Sequence, residues 1–151
     1  MKGIILVIAF VMLVASMFAQ TGLFGLSYGQ TLKEANKILV AKGFKEVRTS
    51  DDFVRYSNPK LASLTDLVVN NYGKNGIVSG WTAYYKVNDD PKQMDILRAE
   101  IDAIHKTYSS YDNVFEERCW ELGNDHAVYL KYLSKDTIII DYSLSYDYED
   151  F

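Results

Sequence analysis

Two histidines, one cysteine and a surplus of carboxylates are the groups in this chain with the means to catalyse or to ligate. Their spacing decides which chemistry is open. His105 stands beside the apolar stripe of a helix, one turn after Ile101. As a general base it needs an orienting carboxylate and a nucleophile in a cleft, and no motif supplies them. It reads as a histidine at a helix border. His126 follows Gly123-Asn124-Asp125 at the start of a strand, where a solvated imidazole is ordinary. Neither His-x-x-x-His nor Cys-x-x-Cys occurs, so no metal is expected. Cys119 has Glu116, Glu117 and Glu121 around it, which oppose thiolate formation; it reads as structural, or as the donor of an intermolecular disulfide. The acidic pairs Asp51-Asp52 and Asp89-Asp90 and the tail at Asp147, Glu149 and Asp150 lack calcium-loop spacing. Gly73 and Gly76 precede no helix, which removes a phosphate-cradling loop. No catalytic residue, cofactor or metal ligand is assigned. Two carboxylates brought together by the fold remain an open route to hydrolysis.

The compositional excess is aromatic. Twelve tyrosines, seven phenylalanines and two tryptophans exclude a disordered chain. Tyr85, Tyr108, Tyr132 and Tyr142 fall on apolar faces and read as core. Tyr84 and Tyr129 fall on the opposite faces, and Leu133 and Ile139 share the face of Tyr129. Aromatic and aliphatic groups exposed on a sheet bury area on association at low entropic cost. Tyr129, Leu133 and Ile139 are therefore the binding candidates, for a protein partner or a second copy of the chain.

These residues are positioned by a short list of elements. Lys2 followed by an unbroken apolar run from Ile4 to Ala15, then Ala15-Ser16-Met17-Phe18-Ala19, has the layout of a secretory signal. Ile4 to Phe18 falls short of the roughly 20 residues a spanning helix needs. The expected organisation is a signal peptide over 1–19, with cleavage after Ser16 as a second choice. A single α+β domain over 20–151 follows, periplasmic or extracellular, with no stable membrane span. At net charge −4 and without a basic run, the chain is a poor holder of nucleic acid.

Thr31-Leu32-Lys33-Glu34 is a capping box, and Leu32, Ala35, Ile38 and Leu39 form one helical face ending at Gly43-Phe44. Residues 45–87 read as strands: Phe53–Tyr56, then Leu64–Tyr72 and Ile77–Val87 around Gly73-Lys74-Asn75-Gly76. Asp90, Pro91 and Gln93 open a second helix carrying Met94, Leu97, Ile101, Ile104 and Tyr108, with Arg98, Asp102 and Lys106 spaced for ion pairs on its solvated side. Three further strands place Val114, Trp120, Leu122, Val128, Leu130, Tyr132, Ile138, Ile140, Tyr142 and Leu144 at even positions, with Glu116 and Arg118 as exceptions. A two-residue turn at either corner would pair even with odd positions. Three-residue loops at 123–125 and 135–137 would instead pair Trp120 with Val128 and Tyr132 with Ile140, keeping one apolar face. The expected fold is α+β, an antiparallel sheet with two helices on one face, in the order α-β-β-β-α-β-β-β.

Gly29-Gln30-Thr31-Leu32-Lys33-Glu34-Ala35, with Leu39 and Gly43-Phe44, resembles the opening helix of small exported bacterial domains. Those domains are of the beta-lactamase-inhibitor-protein-like kind or the SmpA/OmlA outer-membrane assembly lipoproteins. The resemblance implies an α+β fold and an envelope setting, and no residue role. The lipid-bearing cysteine of the lipoproteins has no counterpart here. The functional expectation is an exported, non-catalytic binding module acting through a sheet face. A small exported hydrolase and a structural envelope component are the alternatives.

Overall fold

The computed structural model describes residues 20–112 and 117–144. The expected signal at 1–19, Val114, Glu116 and the acidic tail lie outside the described residues.

Helix α1 (Leu32–Ala41) starts where its capping box stands. Thr31 Oγ1 accepts the Glu34 N–H at 3.2 Å, and Glu34 Oε2 accepts the Thr31 N–H at 2.8 Å. At the other end Gly43 takes φ 88°, which a side chain would resist. There the Phe44 N–H donates to Leu39 O and the Gly43 N–H to Val40 O, both at 3.0 Å. Two orphan carbonyls are thereby satisfied, and Phe44 turns into the core.

Four strands follow: β1 (Lys45–Thr49), β2 (Phe53–Ser57), β3 (Leu64–Asn70) and β4 (Gly80–Lys86). After α2 (Gln93–Ile104) come four more: β5 (Ser110–Asp112), β6 (Arg118–Gly123), β7 (His126–Ser134) and β8 (Thr137–Leu144). All pair antiparallel in one sheet ordered β1-β2-β3-β4-β8-β7-β6-β5. Each helix is thus followed by a four-stranded meander, and the two meanders join along β4 and β8. The expected order has three strands after each helix. The two it lacks, β1 and β5, are the sheet edges. β1 is exposed at every position and β5 is three residues long, so neither has a buried face to impose alternation.

The register sets which residues share a face. Val54, Val69, Trp81, Tyr142, Val128 and Trp120 are consecutive partners across six strands, and Tyr56, Leu67, Ala83, Ile140 and Leu130 form the next row. Both rows are buried on the inner face, in one core with Ala35 and Leu39 of α1 and Leu97 and Ile101 of α2. Arg118 prolongs the second row toward the edge, where one guanidinium nitrogen donates to Ser110 Oγ at 2.6 Å and another pairs with Asp112 at 3.6 Å.

Trp120 pairs with Val128 as expected, by a different device. The turn is two residues, Asn124 and Asp125, both with positive φ (53° and 58°) as a type I′ turn requires. Leu122 is an extra residue between the Glu121 and Gly123 pairs, and this bulge restores the parity that the short turn would break. The β7–β8 corner repeats the solution, with Ser134 opposite Thr137 and Leu133 as the extra residue. Tyr132 therefore faces Ile138 rather than Ile140, a shift of two residues that keeps the face.

Helix α2 begins two residues later than its expected first position, Pro91. Asp90 Oδ1 accepts the Lys92 N–H at 2.9 Å, which closes a turn ahead of the helix. Buried Gln93 forms no capping box; it accepts the Asn88 N–H at 2.9 Å and donates to Lys86 O at 2.8 Å, tying the helix to the end of β4. Asp102 is exposed, as expected, and accepts the Trp120 indole N–H at 2.8 Å. Four aromatic or aliphatic positions expected on the apolar faces are exposed: Ile104 and Tyr108 at and beyond the end of α2, Tyr132 at the end of β7 and Leu144 at the end of β8. The apolar stripe continues from Ile101 to His105 instead.

Ile101 is fully buried and Ile104 is 38% exposed. Ile101→Ala is expected to cost about 2–5 kcal/mol in urea unfolding. Ile104→Ala should cost less than about 1 kcal/mol on the same assay.

Candidate functional site

The face turned away from the helices has its own register rows. Arg55, Val68, Thr82, Asp141, Tyr129, Cys119 and Tyr111 are consecutive partners across seven strands. Asp66, Tyr84, Ile139 and Lys131 form the adjacent row. Both described helices bury their apolar sides on the inner face, so among the described residues no helix covers these rows.

Tyr129 and Ile139 stand on this open face, as their parity requires, yet they are only 4% and 6% exposed. The expected exposed patch of Tyr129, Leu133 and Ile139 is therefore corrected. Tyr129 is flanked in its row by Cys119 and Asp141, with the Lys131 ammonium 5.8 Å from its ring centre, and it packs with Cys119 and Ala127. Ile139 sits between Tyr84 and Lys131. Leu133 is 57% exposed, like Tyr132 beside it at the end of β7. Together with exposed Tyr132 it belongs to the β7–β8 corner, apart from the other two.

The accessible part of the open face mixes apolar and paired charged groups. Phe53, Val68 and Tyr84 are half-buried, and Tyr111 is exposed at the edge. Arg55 pairs with Asp66 at 3.8 Å and Lys131 with Glu117 at 2.9 Å, and Thr82 donates to Asp141 Oδ1 at 2.6 Å. Burial, with Asp141 adding to it, raises the Tyr84 phenol above its ordinary range. Cys119 is buried and free, and its thiol is pushed up by desolvation and by Glu121 and Glu117, as the sequence implies. Such a thiol is a weak nucleophile.

On the inner face an aromatic chain connects the distant parts of the fold. The His126 ring stacks on Tyr28 at 3.8 Å, Tyr28 meets Trp81 at 5.0 Å, and Trp81 stacks on Tyr142 at 4.3 Å and 14°. The Tyr142 ring is 5.6 Å from His105, and its hydroxyl lies 3.0 Å from His105 Nε2 while accepting the Leu23 N–H at 2.9 Å. The Tyr142 hydroxyl thus bonds Leu23 and His105 at once, and the direction of the second bond follows the imidazole tautomer. Gly22 presses against this ring: a Cβ there would lie 2.3 Å from Tyr142 Cε1. His105 is thus a core residue and not one at the border. Its spacing of four from Ile101 was the signal for that placement.

Two hollows flank this core. One, of about 920 Å³, lies beside α2 and includes Tyr85, Leu97 and Glu100, whose carboxyl is pushed up by desolvation. The other, of about 570 Å³, lies where the ends of β3, β4, β7 and β8 converge. Among the described residues no group of three His, Cys, Asp or Glu side chains could hold a metal, and no helix is long and apolar enough to cross a membrane. No protein-family model matches the chain, and comparison with curated proteins and with solved structures gives no match.

Burial lowers the affinity of His105 for a proton. The unfolded chain, with histidine near its ordinary value of about 6.5, takes up that proton first. Stability is accordingly present above that value and is lost as pH falls through it toward the lower folded value. His126 is shifted in the same direction by burial, with Asp125 opposing. Urea unfolding between about pH 7 and about pH 5 should show falling stability, and His105→Gln should reduce that slope.

Proposed function

We propose that the protein is an exported, non-catalytic binding module that engages a protein partner through the open face of its sheet. The observation that carries this reading is the row from Arg55 to Tyr111, which crosses seven strands with no described helix upon it. At the usual strand spacing such a row spans about 30 Å, wide enough for a standard interface. On the same face, half-buried Phe53, Val68 and Tyr84 among paired charges have the composition of an interface rather than of a catalytic cleft. Tyr129 and Ile139 serve as the rigid floor of that surface. The resemblance of the opening helix to that of exported inhibitor-like domains agrees with the reading.

A photo-crosslinking residue at Val68 or Tyr84, in the full chain expressed in its native host, is expected to give a discrete adduct with another protein. The same probe at exposed Lys37 on α1 should give none. Adducts from Lys37 alone, or from no position, would contradict the proposal.

A further inference from the structure

The hollow where β3, β4, β7 and β8 end meets the open face at Asp141 but draws its other walls from the strand ends and the N-terminal segment, and it has a different chemistry. Asn70, Ser79 and Asp141 contribute polar side chains, Tyr28 and His126 a stacked wall, and Tyr72 an aromatic ring that is 69% exposed. Its volume of about 570 Å³ lies within the range of small-molecule sites. We propose that it binds a neutral saccharide of one or two rings.

No Lys or Arg lines the hollow, and Asp141 places a negative charge there, so an anionic ligand is disfavoured. Asp141 uses one oxygen to accept from Thr82, which leaves the other for a ligand hydroxyl. The Asn70 side chain is nearly buried, and none of the hydrogen bonds found among the described residues engages its amide, which offers both donors and an acceptor. Ser79 Oγ accepts the Tyr72 N–H at 3.1 Å and keeps its own proton to donate. In the same wall His126 Nδ1 and Ser143 Oγ are buried without a partner among the described residues. Groups that both donate and accept match vicinal hydroxyls, which do the same. A quaternary ammonium would suit the tyrosines and Asp141 but would leave the amide and hydroxyls unpaired, at a cost in desolvation. The exposed Tyr72 face supplies the apolar platform for the C–H side of a sugar ring.

The test is calorimetric titration of the full chain with glucose, galactose, mannose and N-acetylglucosamine, each as monosaccharide and disaccharide. Choline chloride and inorganic phosphate form separate arms. At least one saccharide is expected to bind. Tyr72→Ala, at an exposed site, and Asp141→Asn, which retains an acceptor for Thr82, should each weaken it about tenfold or more, with unchanged circular dichroism. Tyr111→Ala, at the β5 edge, should leave it unaltered. Three results would overturn the proposal: no saccharide binding up to roughly 10 mM, binding of choline or phosphate alone, or saccharide binding that survives both variants.

Discussion

The stack of Trp81 on Tyr142 is the contact on which the architecture depends. These two residues are direct partners across β4 and β8, the one seam between the two meanders. Both are fully buried, with ring centres 4.3 Å apart and planes nearly parallel. Such a pair contributes about 0.5–1.5 kcal/mol beyond the area it buries. Its larger consequence is geometric. The Tyr142 hydroxyl fixes Leu23 of the N-terminal segment on one side and His105 at the end of α2 on the other. One side chain thereby orients the sheet seam, the N-terminal strap and the second helix together. Gly22 is what lets the strap approach, since any side chain there would occupy the space of the tyrosine ring.

From this seam follows the division of labour between the faces. Both helices and the N-terminal segment are committed to the inner face, because the large apolar groups Trp81, Trp120, Tyr142 and Ile140 are there. The opposite face must then manage without a described helix. It does so with short aliphatic groups, with tyrosines at mid-sheet, and with charges that are already paired, as in Arg55–Asp66 and Lys131–Glu117. A surface of that composition tolerates water and still has area to bury against a partner.

Much of this was legible because each element had a local cause. The capping box at Thr31–Glu34 and the left-handed Gly43 delimit α1 without reference to anything distant. The buried parity of β6 to β8 survived even though the loops differ, since a short turn with a bulge at Leu122 or Leu133 reaches the same face as a longer loop. Features without a local cause were hidden. β1 and β5 bury no alternating face, so edge pairing alone defines them. Parity gave the side on which Tyr129 and Ile139 stand, but carries no information on their burial there. The hollow lined by Asn70, Tyr72 and Asp141 depends on strand ends converging from both meanders, and no spacing along the chain announces it.

Native-state hydrogen exchange can show whether the β4–β8 seam makes one cooperative unit of two meanders. The slowest amides are expected to cluster in β4 and β8, around Ala83 and Ile140, with β3 and β7 opening at the same free energy in a single global event. Exchange in which β1–β4 or β5–β8 opens at a distinctly lower free energy, while the other meander stays protected, would contradict it.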